Sequence, residues 1–300
     1  MADSTTSAQP DTSSSDTYDL GALTVHRIGF GAMQLPGRGV MGPPRDRDAA
    51  VAVLRRAVEL GVDHIDTAQF YGPDVANELI REALHPYPEG LALVSKVGAR
   101  RDAKGGWPPA QLPAELREDV HANLRSLGVE QLAAVNLRIT DPVPHYTPPP
   151  LEDQLAEMLA MQDEGLIAGI GLSSVTLEQL DTALGQMDIV CVQNAYSILD
   201  RTHEELLQRC VAEEIAFVPF FPLGSAFPGM PKVADQPQVK AVAERHGATP
   251  AQVGLAWLLQ HAPNVLLIPG TSSVTHLEEN LGTAGVTLSA EDLAELDTIS

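Results

Sequence analysis

Cysteine is nearly missing from this chain: Cys191 and Cys210 are the two among 300 residues. Two cysteines do not make a disulfide framework, and reduced thiols fit a cytoplasmic protein. Basic residues are also scarce, 19 Lys and Arg against 40 Asp and Glu, for a formal net charge of -21. Nucleic acid and anionic membrane both call for clustered Lys and Arg, so neither is expected as a partner. The acidity reads as a soluble, self-repelling surface. No apolar run approaches the roughly 20 residues of a membrane span. The opening Met-Ala-Asp-Ser-Thr-Thr-Ser has neither the basic nor the apolar region of a signal peptide. What the chain does have is 44% hydrophobic residues, enough for a substantial core.

Residues 1 to 18 are mostly Ser, Thr, Asp and Ala, too polar to offset the entropy of ordering, and are expected to form a disordered tail. Beyond them, short apolar runs alternate with helical patterns. Asp19 to Val25 suggests a small β-hairpin, and Arg27 to Gly31 a first strand. The helix predicted over 47–60 spaces Ala50, Val53, Leu54, Ala57 and Val58 on one face, and Gly61 stands where a C-terminal cap belongs. Strands are then predicted over 64–66, 92–96, 133–138, 168–172, 189–193, 216–220 and 265–269. Helices are predicted over 74–84, 113–127, 151–164, 177–185, 203–214, 237–246, 250–261, 275–282 and 290–299. Thr176 with Gln179 can open one of them as a capping box, and Ser289 with Asp292 another. About eight strand-then-helix units is the number that closes a TIM barrel. The expectation is one α/β domain over 19–300, a (β/α)8 barrel with a short N-terminal hairpin.

Positions 61–72 read Gly-Val-Asp-His-Ile-Asp-Thr-Ala-Gln-Phe-Tyr-Gly. A short apolar run ends in Asp66, and Tyr71 follows after a turn-length gap. Leu93-Val94-Ser95-Lys96 is a second buried-strand pattern, ending in a lone Lys96. Barrel enzymes build their sites from polar groups at strand ends that run into loops. An acid, a phenol and an ammonium delivered by neighbouring strand ends point to proton transfer by a tyrosine of tuned pKa. His64 is expected to face away from Asp66 as a packed histidine.

With those residues placed, the chain from about residue 20 onward resembles the aldo-keto reductase superfamily. Gly61–Gly72 is similar to the family's strand-2 signature and Ser95-Lys96 to its strand-3 lysine. Gly169–Ser174, Val192–Tyr196, Phe220–Gly224, Ile268–Thr271 and His276–Asn280 resemble further family segments, in order. The resemblance implies NAD(P)H-dependent carbonyl reduction or alcohol oxidation without metal or flavin. It also implies no Rossmann fold, and no Gly-x-Gly-x-x-Gly here joins a strand to a helix.

The resemblance assigns Tyr71 as general acid, Lys96 as the cation that lowers its pKa and Asp66 as the anchor of Lys96. Arg138 falls where the family carries a histidine at the end of strand 4, with Asn136 two residues earlier on the same face. Arginine only donates hydrogen bonds and stays cationic, so it can polarise an oxygen but not shuttle a proton. Altered pH behaviour, a substrate with an anionic group, or a structural ion pair to Asp66 or Asp141 are the readings open at this position.

For the cofactor, the resemblance assigns Ser173, Ser174 and Gln193 to the nicotinamide carboxamide. Phe220 takes the stacking position, and Ala32, Met33, Pro222 and Leu223 stand nearby. Gly270, Thr271 and Ser272 can offer N–H and hydroxyl groups to phosphate. Glu279 and Asn280 match adenine contacts. Gly270 and His276 replace a Lys and an Arg common in the family, which removes the strongest contacts to a 2′-phosphate. NADPH is the expected cofactor, with NADH possible. Gln34, Phe70, Trp107 and Asn136 are the expected walls of the pocket for a small carbonyl substrate. A monomer or small homo-oligomer is expected. A cofactor-binding regulatory or sensor subunit of the same fold is the competing reading.

Overall fold

The computed structural model describes residues 17–139, 144–224 and 231–299. The expected tail therefore lies outside the described residues up to position 16. Thr17 and Tyr18, the last two residues assigned to it, are already in a strand. Thr17–Leu20 (β1) and Leu23–His26 (β2) pair antiparallel around Gly21, whose φ of +64° serves the two-residue turn.

Seven parallel strands follow in spatial as well as chain order: Phe30–Gly31 (β3), His64–Asp66 (β4), Ala92–Ala99 (β5), Ala134–Arg138 (β7), Ile170–Ser173 (β8), Cys191–Gln193 (β9) and Ala216–Phe217 (β10). The two-residue strand Pro109–Ala110 (β6) folds back antiparallel on the end of β5. Residues 265–268 close the ring. Ile28 bridges Leu267 on one side and Phe217 bridges Val265 on the other, both parallel. The fold is a (β/α)8 barrel. The strand expected over 265–269 is present as these bridges alone, and that over 216–220 as a two-residue ladder with an Ala195–Phe220 bridge beyond it. Pro219 and Pro269 supply a reason, since neither has an N–H to extend a ladder.

The helices lie where their periodicity places them. They are Arg47–Glu59 (α1), Val75–Leu84 (α2), Pro113–Leu127 (α3), Leu151–Asp163 (α4), Leu177–Leu184 (α5), Glu204–Ala212 (α6), Pro237–His246 (α7), Pro250–His261 (α8), Val274–Leu281 (α9) and Ala290–Leu296 (α10). Thr176 with Gln179 and Ser289 with Asp292 form the expected capping boxes. Among the described residues, no helix is long and apolar enough to cross a membrane.

Alternation along the strands divides the core in two. Ile65, Leu93, Val135, Leu137, Ile170, Val192, Phe217 and Leu267 pack outward against the helices. Ala92, Val94, Ala134, Cys191, Ala216 and Leu266 face inward, where Leu20 and Val25 of the hairpin join their cluster. The interior is thus floored by small side chains and plugged by β1–β2. Above that floor, the same parity leaves Asp66, Lys96, Asn136, Arg138, Gln193 and Phe220 directed inward toward the C-terminal rim.

Candidate active site

Asp66, Lys96 and Tyr71 come together at that rim. Asp66 ends β4, whereas Lys96 lies within the adjacent β5, which runs on to Ala99 past the strand end expected at 96, and both side chains are nearly sealed from solvent at 6% exposure. The Lys96 ammonium donates to Asp66 Oδ1 and to the Thr67 carbonyl at 3.1 Å. It also sits 5.1 Å from the centroid of the buried Tyr71 ring. Burial holds the Tyr71 phenol above its usual pKa. The Lys96 cation pulls in the expected direction, Asp66 opposes it, and desolvation outweighs the sum. Tyr71 is therefore a proton-loaded acid at neutral pH rather than a phenol close to ionising. Lys96 is held above its ordinary pKa: desolvation works against its charge, while Asp66 and Tyr71 favour it.

Gln193, expected to face the cofactor amide, spends its side-chain N–H on Asp66 Oδ2 at 3.0 Å. His64 occupies the same face of β4 as Asp66, because i and i+2 share a face of a strand. The expectation that it faces the other way is corrected. It is buried deeper in the strand, its ring filling the space that a Cβ on Gly29 would need, and Asp63 lies 3.5 Å from it.

The loop that carries Tyr71 is tied down from behind by a buried amide network. Thr67 donates to Asn77 at 2.7 Å, Asn77 to Asn123 at 2.9 Å, and Asn123 to Gln69 at 3.0 Å. Ser95, beside Lys96, donates to Asn123 at 2.6 Å. Asn77 and Asn123 sit on α2 and α3, and neither was singled out from the sequence. Their signal is an amide placed on the apolar face of a helix.

Trp107 belongs to the loop of the β5–β6 hairpin. Its ring meets Phe70 edge-on at 5.5 Å and Tyr71 at 6.3 Å. Arg138 ends β7 with its guanidinium carbon 6.0 Å from the Trp107 centroid, close enough to Tyr71 to favour the phenolate. Asp66 is occupied by Lys96 and Gln193, and Asp141 lies outside the described residues. Asn136 is wholly buried in the barrel interior, two residues below Arg138, and accepts from the Cys191 thiol at 3.3 Å. It stands level with Lys96 and is sealed inside the barrel rather than exposed as a wall. Burial pushes that thiol up to about 12, and Cys210 likewise to about 12, so both are packed, protonated thiols.

A cavity of about 440 Å³ opens over this rim. Asp66, Tyr71, Lys96 and Gln193 form its inner end, and Phe220, Pro222 and Leu223 its side. Gly270, Thr271, His276, Glu279 and Asn280 form the far end, and Met33 and Gln34 also line it. Ser173 is buried beside Gln193, Ala32 is buried, and Ser272 is exposed; none of them, nor Ser174, nor the expected substrate walls Phe70 and Trp107, is among these walls. Ala251, at the first turn of α8, and Phe221 were missed. Phe221, like Ser174, holds a positive φ, +56° and +58°, which no sequence pattern announces. A wider cleft of about 700 Å³ lies outside the ring, against α1–α3. Its walls include Arg47 and Glu82, which pair with each other, and it takes in none of the strand-end groups.

A barrel with an acid–lysine–tyrosine trio at its C-terminal rim belongs to a defined class of oxidoreductase. The profile of the Aldo/keto reductase family matches residues 27–300, and the chain belongs to that family. Pyridoxine 4-dehydrogenase of Escherichia coli is 50% identical over 288 residues, 96% of this chain and 99% of that protein. An uncharacterised oxidoreductase of Schizosaccharomyces pombe is 39% identical, over 99% of this chain and 94% of its own length. The crystal structure of a thermostable aldo-keto reductase in complex with the inhibitor epalrestat superposes with a TM-score of 0.79 at 32% identity, over 95% of this chain and 99% of that one. An aldo/keto reductase from Klebsiella pneumoniae, in complex with NADP and acetate, gives 0.77 at 26%, over 94% of each chain.

Proposed function

We propose that this chain transfers hydride between NADP(H) and an aldehyde or its primary alcohol, with pyridoxal and pyridoxine as the leading pair. The observation that carries the reading is the trio itself: a buried, protonated phenol held against an ammonium at one end of a cavity whose other end is lined by Thr271, His276, Glu279 and Asn280. The substrate comes from the 50% identical relative, whose match spans nearly the whole of both chains. The NADP-bound Klebsiella structure supports the cofactor.

The walls fit a dinucleotide. Phe220 offers an aromatic face, and the Thr271 hydroxyl and the first N–H groups of α9 suit a phosphate. Lys96 apart, the described walls hold neither Lys nor Arg, so His276 is the remaining base for a 2′-phosphate. When bound, the nicotinamide supplies or accepts the hydride. Tyr71 donates its proton to the substrate oxygen as negative charge develops there. Lys96 stabilises the phenolate left behind, Asp66 fixes Lys96, and Gln193 fixes Asp66. Arg138 adds a second cation, in keeping with a substrate that carries an acidic group. The proposed setting is a cytoplasmic monomer or small homo-oligomer.

NADPH and NADH oxidation with pyridoxal and a panel of other aldehydes tests the reading, wild type against Tyr71→Phe. Loss of turnover with nucleotide binding retained supports it. Tight NADPH binding without turnover of any aldehyde favours a regulatory or sensor role. Failure to bind either nucleotide overturns the cofactor assignment.

A further inference from the structure

Trp107 carries two guanidinium groups. The central carbon of Arg101 lies 3.8 Å from the indole centroid and that of Arg138 6.0 Å. The same ring meets Phe70 and Tyr71 edge-on, so the paired charge stands beside the proton donor. Gathering like charges on one ring costs repulsion and desolvation. Arg47, Arg56, Arg117, Arg209 and Arg245 each meet a carboxylate, while Arg55 is held by the Ala83 carbonyl.

Arg101 has no such partner among the described residues. Its Nη2 donates to the Gly39 carbonyl at 2.7 Å and its Nε to the Met41 sulfur at 3.2 Å. Its Nη1 is buried without a hydrogen bond among the described residues. Asp102, next in sequence, is turned to the backbone instead, accepting from Lys104 and Gly106 N–H at 2.8 and 2.7 Å. The hairpin is thereby fixed, and Asp102 favours the Arg101 charge through space without a hydrogen bond to it. Arginine stays ionised even where burial lowers its pKa, as it does here.

We propose that Arg101, together with Arg138, is a specificity-determining residue that receives an anionic substituent of an aromatic aldehyde lying against Trp107 with its carbonyl at Tyr71. The proposal rests on the oxidoreductase reading above. Pyridoxal offers one such oxyanion in its acidic ring hydroxyl, and pyridoxal 5′-phosphate adds a second on the far side of the ring. A neutral aldehyde such as isonicotinaldehyde offers neither.

The test measures kcat and KM with NADPH for these three aldehydes in wild type, Arg101→Gln and Arg101→Lys. Calorimetry of pyridoxic acid, which cannot be reduced, on the NADP⁺ complex is the second readout. Arg101→Gln is expected to raise KM about tenfold for the anionic aldehydes, the size of one charge-assisted hydrogen bond, with kcat little changed. For isonicotinaldehyde, KM should stay within about twofold. Pyridoxic acid should bind about tenfold more weakly, and Arg101→Lys should recover part of each loss. A loss confined to the phosphate ester assigns the distal phosphate; a loss shared with pyridoxal assigns the ring oxygen. Equal losses on all three aldehydes, or no loss, overturn the proposal. If wild type reduces none of them, the substrate reading fails separately. The pyridoxic acid titration then decides: Arg101-dependent binding supports the anion site, and binding that is absent or indifferent to Arg101 overturns it.

Discussion

Gln193 reaches across the barrel from β9 to donate to Asp66 on β4, 127 positions away in the chain, at 3.0 Å. One carboxylate oxygen of Asp66 takes the Lys96 ammonium and the other takes this amide, so the acid is held from two sides. Gln193→Ala leaves a buried carboxylate oxygen unpaired, at a cost of about 1–3 kcal/mol. The expected outcome is a roughly tenfold or greater fall in kcat/KM with far-ultraviolet circular dichroism unchanged, measured by steady-state kinetics.

The direction of the Tyr71 shift fixes a pH asymmetry. Its pKa lies above the ordinary value of about 10, so the phenol is protonated through neutral pH. On the proposed mechanism reduction uses that proton and should be nearly flat between about pH 6 and 9. Alcohol oxidation needs the phenolate and should climb steadily over the same range. Paired kcat profiles in the two directions check this, and a reduction rate that falls from about pH 7 upward contradicts it.

Arg138 cannot lose its charge in that range, whereas a histidine can. Arg138→His should introduce a titration near about pH 6.5 that wild type lacks. The profile of kcat/KM for a neutral aldehyde, wild type against variant, is the measurement.

Asn123 bonds Asn77, Ser95 and Gln69 at once, all of them buried. Asn123→Leu strands Ser95 and Gln69, while Asn77 keeps Ser126, and should destabilise the fold by about 2–4 kcal/mol. Because the network backs the loop of Tyr71, activity at 25 °C should also fall. Chemical denaturation and kinetics on the same preparation separate the two effects.

Asp292 pairs with Arg245 at 2.7 Å and His246 at 2.8 Å, and caps α10 through Ser289. The hydrogen bonds from His246, Ser289 and Arg245 hold its carboxyl far below the usual range. A depressed carboxyl contributes stability that is full above its unfolded value of about 3.9 and is lost as pH falls toward the folded one. Asp292→Asn should therefore lower Tm by a few degrees at pH 7, with the gap closing below about pH 4. The half-exposed Arg245 limits the effect.

Much of this was legible in the chain itself. Local rules specified the helices, since the capping pairs Thr176–Gln179 and Ser289–Asp292 and the apolar spacing of α1 act over a few residues. Parity along β4, β5 and β7 sufficed to put Asp66, Lys96 and Arg138 on the inner face, although β5 runs on past Lys96 to Ala99. What the sequence left open depends on groups that meet only after the barrel closes. The net pKa of Tyr71 is a balance between burial and two charges from other strands. The partner of Gln193 is set by the width of the barrel, not by spacing. Arg101 and Arg138 find Trp107 because β6 folds back on β5, a pairing that two residues of strand propensity do not announce. Short-range chemistry chose the elements and the reacting groups; distance and desolvation inside the closed ring decided what those groups are able to do.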